Sequence, residues 1–360
     1  MIIPEDICTE FGLDKQKIVS VQSFGSGHIH DTFRVKMHEG GDYILQKINN
    51  KIFPDISLMQ LNIEKVIRHL KKSNRAGERE LEMLSSGDGR SYFRDEDGSY
   101  WRMFVFIPGT KPYDRISSPE IAFEAGSAFG NFQQLLHDFD PVSLAETLPR
   151  FHDIYYRLEL FEEAVRNDSE KRVSEISGEI NFVRSRTGRM KSIIDLGNEG
   201  KIPVRITHND TKINNVLFDE QDKAVCVIDL DTVMPGYIHY DFGDAIRTGA
   251  ASADEDERDA TKMFVDLKLF EAYAHGFLNQ VHRMLNKTEK ETLAFAPQLM
   301  TFIIGLRFLT DYINGDIYFK TKSSDHNLIR WKAQKKLLSS MEEHEEEMFA
   351  ILIDIERNLA

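Results

Sequence analysis

The chain has 360 residues, 41% hydrophobic and 29% charged, a globular composition that excludes collagenous, mucin-like and largely disordered classes. Its formal net charge of −14 leaves no global basic footprint for nucleic acid, while a single cationic pocket for one nucleotide remains compatible with it. Two cysteines, Cys8 and Cys226, cannot build a disulfide framework or a thiolate metal site, and Cys226 lies in an apolar run, 224–228, as a buried free thiol would. Residues 1–10 are acidic and lack a charged segment followed by an apolar one. The longest apolar stretch, 299–306, is far short of the ~20 residues of a membrane span. A cytosolic soluble protein without membrane contact is expected.

In chain order, residues 18–24 are apolar and β-branched and predict a strand, which Gly25, Ser26 and Gly27 interrupt. Alternation resumes over 31–37, turns at Gly40, Gly41 and Asp42, and continues as a third strand over 43–48. Leu58, Leu61, Ile63, Val66, Ile67 and Leu70 recur at helical spacing. Residues 91–93 and 100–107 read as strands around a turn, and Pro108-Gly109 ends the sheet. Ser118 and Pro119 then open a helix whose buried face carries Ile121, Ala125, Phe129, Phe132 and Leu136. Residues 151–185 give one or two helices, 203–231 return to short β-branched runs, and 262–285, 289–314 and 327–359 are long amphipathic segments. Under the acidic run 342–347, Met341, Met348, Leu352, Ile355 and Leu359 keep an apolar stripe, so the acids form a solvated helix face. The expected architecture is α+β, with a small β-rich lobe over 1–107 and a larger, mainly helical lobe over 108–360.

The chemistry concentrates in one loop. His208, Asp210, Lys212 and Asn215 spell H-x-D-x-K-x-x-N, an apolar strand follows, and Asp229 ends the next strand nineteen residues after Asp210. Phosphoryl transfer needs a carboxylate to take the acceptor's proton, an amide oxygen and a second carboxylate to hold Mg²⁺, and a lysine to offset phosphoryl charge. Asp210, Asn215, Asp229 and Lys212 match those needs in that order. Read as ordinary structure, Asp210 and Asn215 would be turn residues and Asp229 a strand end. Four typed positions at this spacing favour the chemistry. Asp231 is open between a second metal contact and a structural acid. His28 and His30, lacking a third ligand, make a poor metal site. Asp241, Phe242 and Gly243 spell a kinase metal motif but lie too far past Asp210 and beyond Pro235-Gly236.

These motifs, with 25–33, 43–49, 235–247 and 305–311, resemble the aminoglycoside phosphotransferase and choline kinase-like family, and within it the N-acetylhexosamine 1-kinase branch. The resemblance implies a two-lobed protein-kinase-like fold, with ATP and Mg²⁺ between the lobes. It implies that Asp241 braces the catalytic loop, that Lys47 reaches the nucleotide phosphates and that Glu64 on the following helix pairs with it. Gly25, Ser26 and Gly27 are then a phosphate-covering loop, or otherwise a plain hairpin turn. Phe104 to Pro108 would meet the adenine edge. Asn209 either reaches the acceptor or is a satisfied loop amide. Arg307 and Tyr318 are the implied sugar contacts, unless Arg307 merely pairs with Asp311 one helical turn on. Trp331 fits the core better than a stacked sugar.

The expected activity is phosphorylation of a small hydroxyl compound, namely C1 of N-acetylglucosamine or N-acetylgalactosamine. The alternatives are an aminoglycoside, choline or hydroxy-amino acid acceptor, or a catalytically dead nucleotide-binding protein. That last option predicts loss of Lys47, Asp210, Asn215 or Asp229, and all four are present. No phosphorylatable segment follows Asp229, so a protein substrate is not expected.

Overall fold

The computed structural model describes residues 4–25, 29–73 and 79–359. Alternating side chains build a five-stranded antiparallel sheet in the order β1-β2-β3-β5-β4, from β1 (Ile18–Ser23), β2 (Asp31–Met37), β3 (Tyr43–Ile48), β4 (Phe93–Arg94) and β5 (Tyr100–Val105). The pairing Leu45↔Met103 and Phe33↔Leu45 fixes which residues share a face. On the outer face Val35, Leu45, Trp101 and Met103 pack against Ile7 and Cys8 of α1 (Pro4–Glu10). On the inner face Ile44, Ile48 and Phe104 meet Met59, Ile63 and Val66 of α2 (Ile56–Ser73) and, across the junction, Ile206, Leu230 and Val233. The two parts of the chain therefore share one apolar seam.

α1 is an element the sequence reading did not anticipate, because its acids hide a short apolar stripe. The following Phe11 is buried with Ile7 and Cys8, and together they close the outer face of the sheet.

The helical part begins with α3 (Pro119–Leu135), capped by Ser118 with Pro119 at its first turn, as the sequence predicts. α4 (Ile154–Asn167), α5 (Ser177–Arg184), α6 (Thr187–Met190) and α7 (Ser192–Asn198) lead to two small antiparallel sheets, one pairing β6 (Arg205–Thr207) with β9 (Met234–Gly236) and the other, a hairpin between them in sequence, pairing β7 (Val216–Phe218) with β8 (Ala224–Val227). α8 (Ile238–Gly249), α9 (Leu267–Val281), α10 (Lys287–Thr292) and α11 (Ala296–Ile313) follow. The long segment expected over 327–359 is two helices, α12 (His326–Glu343) and α13 (Glu345–Leu359), parted at His344. Acids crowd the first turn of α13, where the helix N-terminus favours them. Residues 287–313 are long and apolar enough for a membrane span by composition, but they are mostly buried inside the fold. Trp331 is core, fully buried against Gly305.

α3 and α9 touch backbone to backbone. A Cβ at Gly126 would sit 2.1 Å from the Tyr273 carbonyl oxygen, and one at Gly276 would sit 2.1 Å from that of Phe123. Gly126→Ala gains ~1 kcal/mol of helix propensity. It loses more, since overpacking against rigid backbone costs about 1–3 kcal/mol or above. The urea midpoint of Gly126→Ala is expected to fall with an unchanged slope; a higher midpoint would show that the helices part freely.

Candidate active site

β6 delivers Thr207 to a loop in which Asn209 takes a left-handed conformation, φ 63°. The buried His208 donates from Nε2 to the Ile228 carbonyl at 3.0 Å, and its Nδ1 accepts the Asp210 N–H at 3.3 Å. The loop is thereby tied to the residue just past the end of β8. Lys212 Nζ lies 3.0 Å from Asp210 Oδ1, and Asn215 Nδ2 donates to Asp210 Oδ2 at 3.2 Å. Burial pushes the Asp210 carboxyl up, but the charge of Lys212 and its hydrogen bond outweigh this and hold it below the usual range. It is an ionised carboxylate with a cation beside it.

Asp229 also takes a left-handed conformation, φ 61°, at the turn after β8. Among the described residues nothing donates to its carboxylate. Burial, then the charges of Asp231 and Asp210, push it up to about 7, against the opposing pull of Arg102 and His30. The Asn215 amide spends its nitrogen on the Asp210 carbonyl and carboxylate, which leaves its oxygen open. An amide oxygen and an unpartnered carboxylate in an acidic cluster fit a hard divalent cation such as Mg²⁺.

Asp231 does not join them. Both its oxygens are taken: the Arg102 guanidinium binds it in a fork, with Nη2 at 3.0 Å, and His30 Nε2 stands 2.5 Å from Oδ2. It is 3% exposed. The expectation of a metal ligand at Asp231 is thus corrected to a structural acid, and sequence reading missed both partners because 201 and 129 residues separate them from it.

Three further expectations change. Lys47 pairs in register with Trp101 and Asp31, on the outer face of the sheet, with Nζ 5.6 Å from the Trp101 ring. It points away from the seam between the lobes. Its neighbour Gln46 faces inward. Glu64 makes no ion pair among the described residues, and the buried position one turn earlier on α2 is Gln60. Asn209 is a satisfied loop amide: its Nδ2 donates to the Thr207 and Thr232 carbonyls and its Oδ1 accepts from the Thr207 hydroxyl. Gly25 has φ +81°, as a loop turning over β1 requires, while Ser26, Gly27 and His28 lie outside the described residues.

Arg307 and Tyr318 do converge. They line one cavity of about 350 Å³ with Arg157, Phe151, Tyr156 and Phe319. Asp311 is not the partner of Arg307. Its Oδ1 accepts the N–H groups of Ile317 and Tyr318, and its Oδ2 accepts those of Phe319 and the Asn327 amide. Arg157 donates twice to the Phe151 carbonyl. Burial and the charge of Arg307 lower its guanidinium to about 10. Neither arginine has an ion-pair partner among the described residues. His152 lies between this cavity and the loop: Nε2 donates to the Asn209 carbonyl at 3.2 Å, and the ring feels the charges of both Arg307 and Asp210. Arg157 could not be found by motif, since it is one of two arginines on the amphipathic helix α4 and fits no pattern.

The loop itself hangs on Asp241, which is fully buried on α8. Its carboxylate accepts the N–H groups of His208 at 2.8 Å and Asn209 at 2.7 Å and the Gln133 amide at 2.5 Å, while Thr211 Oγ1 donates to its carbonyl. This is the bracing role expected of it. Asp241→Ala strands three buried donors, each worth about 1–3 kcal/mol. Denaturant unfolding is expected to show a loss of more than about 3 kcal/mol, with Asp241→Asn less damaging. A loss under about 1 kcal/mol would show that the loop is held elsewhere.

Residues 20–278 match the model of the phosphotransferase enzyme family, APH. Among solved structures, an aminoglycoside phosphotransferase from Alicyclobacillus acidocaldarius superposes with a TM-score of 0.62 at 11% identity, covering 96% of this chain and 97% of its own. A microcompartment-associated aminopropanol kinase gives 0.61 at 13% identity with the same coverage, 96% and 97%. An amicoumacin kinase in complex with AMP-PNP and Ca²⁺ gives 0.60 at 12% identity, covering 93% of each chain. At such identities the structures share the two-lobed kinase-like fold, and the family match adds the chemistry. The chain belongs to the phosphotransferase enzyme family, APH, and is a small-molecule kinase of that family.

Proposed function

We propose that the protein transfers the γ-phosphoryl group of ATP, with Mg²⁺, to the anomeric C1 hydroxyl of an N-acetylhexosamine, giving the sugar 1-phosphate. The observation that carries this reading is the charge of the acceptor cavity. Arg307 and Arg157 face it without a carboxylate partner, and its one acid, Asp311, is spent on loop amides. An ammonium acceptor of the aminopropanol or aminoglycoside kind would meet two cations against one carboxylate, whose oxygens are already taken by neutral amides. A neutral sugar meets hydrogen-bond donors for its hydroxyls and acetamido carbonyl, and aromatic walls for its C–H faces.

In this reading Asp210 takes the proton of the anomeric hydroxyl as the sugar oxygen attacks phosphorus, and ADP leaves with the electrons of the broken P–O bond. An anomeric hydroxyl is more acidic than other sugar hydroxyls, so a carboxylate held low by Lys212 suffices. Lys212 then offsets the charge spreading over the phosphoryl oxygens. Asn215 and Asp229 would hold the Mg²⁺, which when bound neutralises phosphate charge. The division at 107/108 would let the sheet close over the nucleotide and exclude water. A cytosolic setting supplies ATP and keeps Cys8 and Cys226 reduced.

Asp210→Asn keeps the shape and loses the base, so kcat is expected to fall by about 10²–10⁴ with nucleotide affinity retained. Arg307→Ala is expected to raise the sugar KM by about 10-fold or more and leave the ATP KM near its original value. Phosphorus NMR of the product identifies an anomeric ester. A product phosphorylated at C6, or no sugar turnover beside rapid phosphorylation of an amine-bearing alcohol, would overturn the reading.

A further inference from the structure

Among the described residues the inner wall of the N-terminal lobe has no lysine–glutamate pair. At the inward position of β3 stands Gln46, and at the buried position of α2 stands Gln60. The buried cation on that wall is Arg102 of β5, 1% exposed. Its Nε donates to Gln46 Oε1 at 2.8 Å, and its two terminal nitrogens fork onto Asp231. The same carboxylate receives His30. Nδ1 of His30 accepts the Asn49 N–H at 3.0 Å, so Nε2 carries the proton and donates to Asp231. His30 ends the β1–β2 loop and stacks on Phe53, with ring centroids 5.8 Å apart. One buried acid therefore gathers the glycine-bearing loop, the sheet and the segment two residues beyond Asp229.

That segment is stitched on every side. The Thr232 carbonyl accepts from Asn209, the Thr232 hydroxyl donates to the His208 carbonyl, and the Val233 carbonyl accepts from Asn62 of α2. A displacement at Asp231 therefore passes directly to Asp229 and to the catalytic loop. A forked guanidinium fixes direction as well as charge, which a lysine ammonium does not. Removing either partner also leaves the other charge buried and alone.

We propose that Arg102, clasped by Asp231 with His30 beside it, positions Asp229 for the metal–nucleotide complex in this kinase, in place of a strand lysine paired with a helix glutamate. The proposal rests on the reading of the cleft as a Mg²⁺–ATP site. Arg102, Asp231 and His30 are positioning residues: they act through Asp229 and the loop, and touch no reacting atom.

The test titrates Mg²⁺ against a non-hydrolysable ATP analogue bound to the full chain, with circular dichroism as the check on folding. Arg102→Met and Asp231→Asn are expected to raise the Mg²⁺ concentration for half-saturation about 10–100-fold, while the acceptor KM stays at its original value. Arg102→Lys, which keeps the charge and loses the fork, should fall between them and the unaltered chain. Lys47→Met should titrate like the unaltered chain. The proposal is overturned if Lys47→Met carries the loss, or if folded Arg102→Met or Arg102→Lys keeps the original half-saturation. Absence of Mg²⁺-dependent nucleotide binding in the unaltered chain would instead bring down the site reading, and this proposal with it.

Discussion

A carboxylate without access to water holds this site together. Asp241 receives the N–H groups of His208 and Asn209, and those two bonds fix the left-handed step at Asn209 that turns Asp210 out of the core. Left-handed backbone is uncommon outside glycine, though asparagine tolerates it better than most residues. Here the Asn209 amide also bonds across to Thr232, so the strained step doubles as a tie to the turn that follows Asp229. The chain spends α8 and Gln133 of α3 on supporting one loop. The backbone-to-backbone packing of α3 on α9 lies behind that support.

Around this anchor the charges are sorted by side. Asp210, Asp229 and Asp231 converge, and they are treated differently. Lys212 pairs with the first, Arg102 neutralises the third while His30 donates to it, and among the described residues Asp229 has no donor. The carboxylate with no partner is the one a divalent cation would complete. On the far side of His152 the balance reverses: the cavity proposed for the acceptor has two arginines against one acid, Asp311, whose oxygens are taken by amides. Phosphoryl transfer gains from cations near the transferred group, and an acceptor with its own positive charge would not.

Much of this was legible because it is local. The loop from His208 to Asn215 and the strand to Asp229 are short-range patterns, and β2 and β3 follow alternation that runs to their observed ends. What failed was parity. Gln46 and Lys47 are adjacent polar residues at a strand end, and a one-residue choice decides which face each takes. The lysine looked like the phosphate contact, and the pairing with Trp101 puts it outside. Arg102 and Arg157 carry no motif, and His30 lies in the 25–33 stretch without a role assigned to it there; the tertiary fold alone brings the three to the site. The break at His344 was hidden because the apolar stripe continues in phase across it.

The central claim is that the acceptor cavity selects against positive charge. The ratio of kcat/KM for N-acetylglucosamine to that for glucosamine tests it most directly, because the two sugars differ at one nitrogen that is neutral in the first and protonated in the second. The account predicts strong preference for the acetylated sugar at neutral pH, shrinking as the pH rises and glucosamine loses its proton. Equal or better use of protonated glucosamine would contradict it.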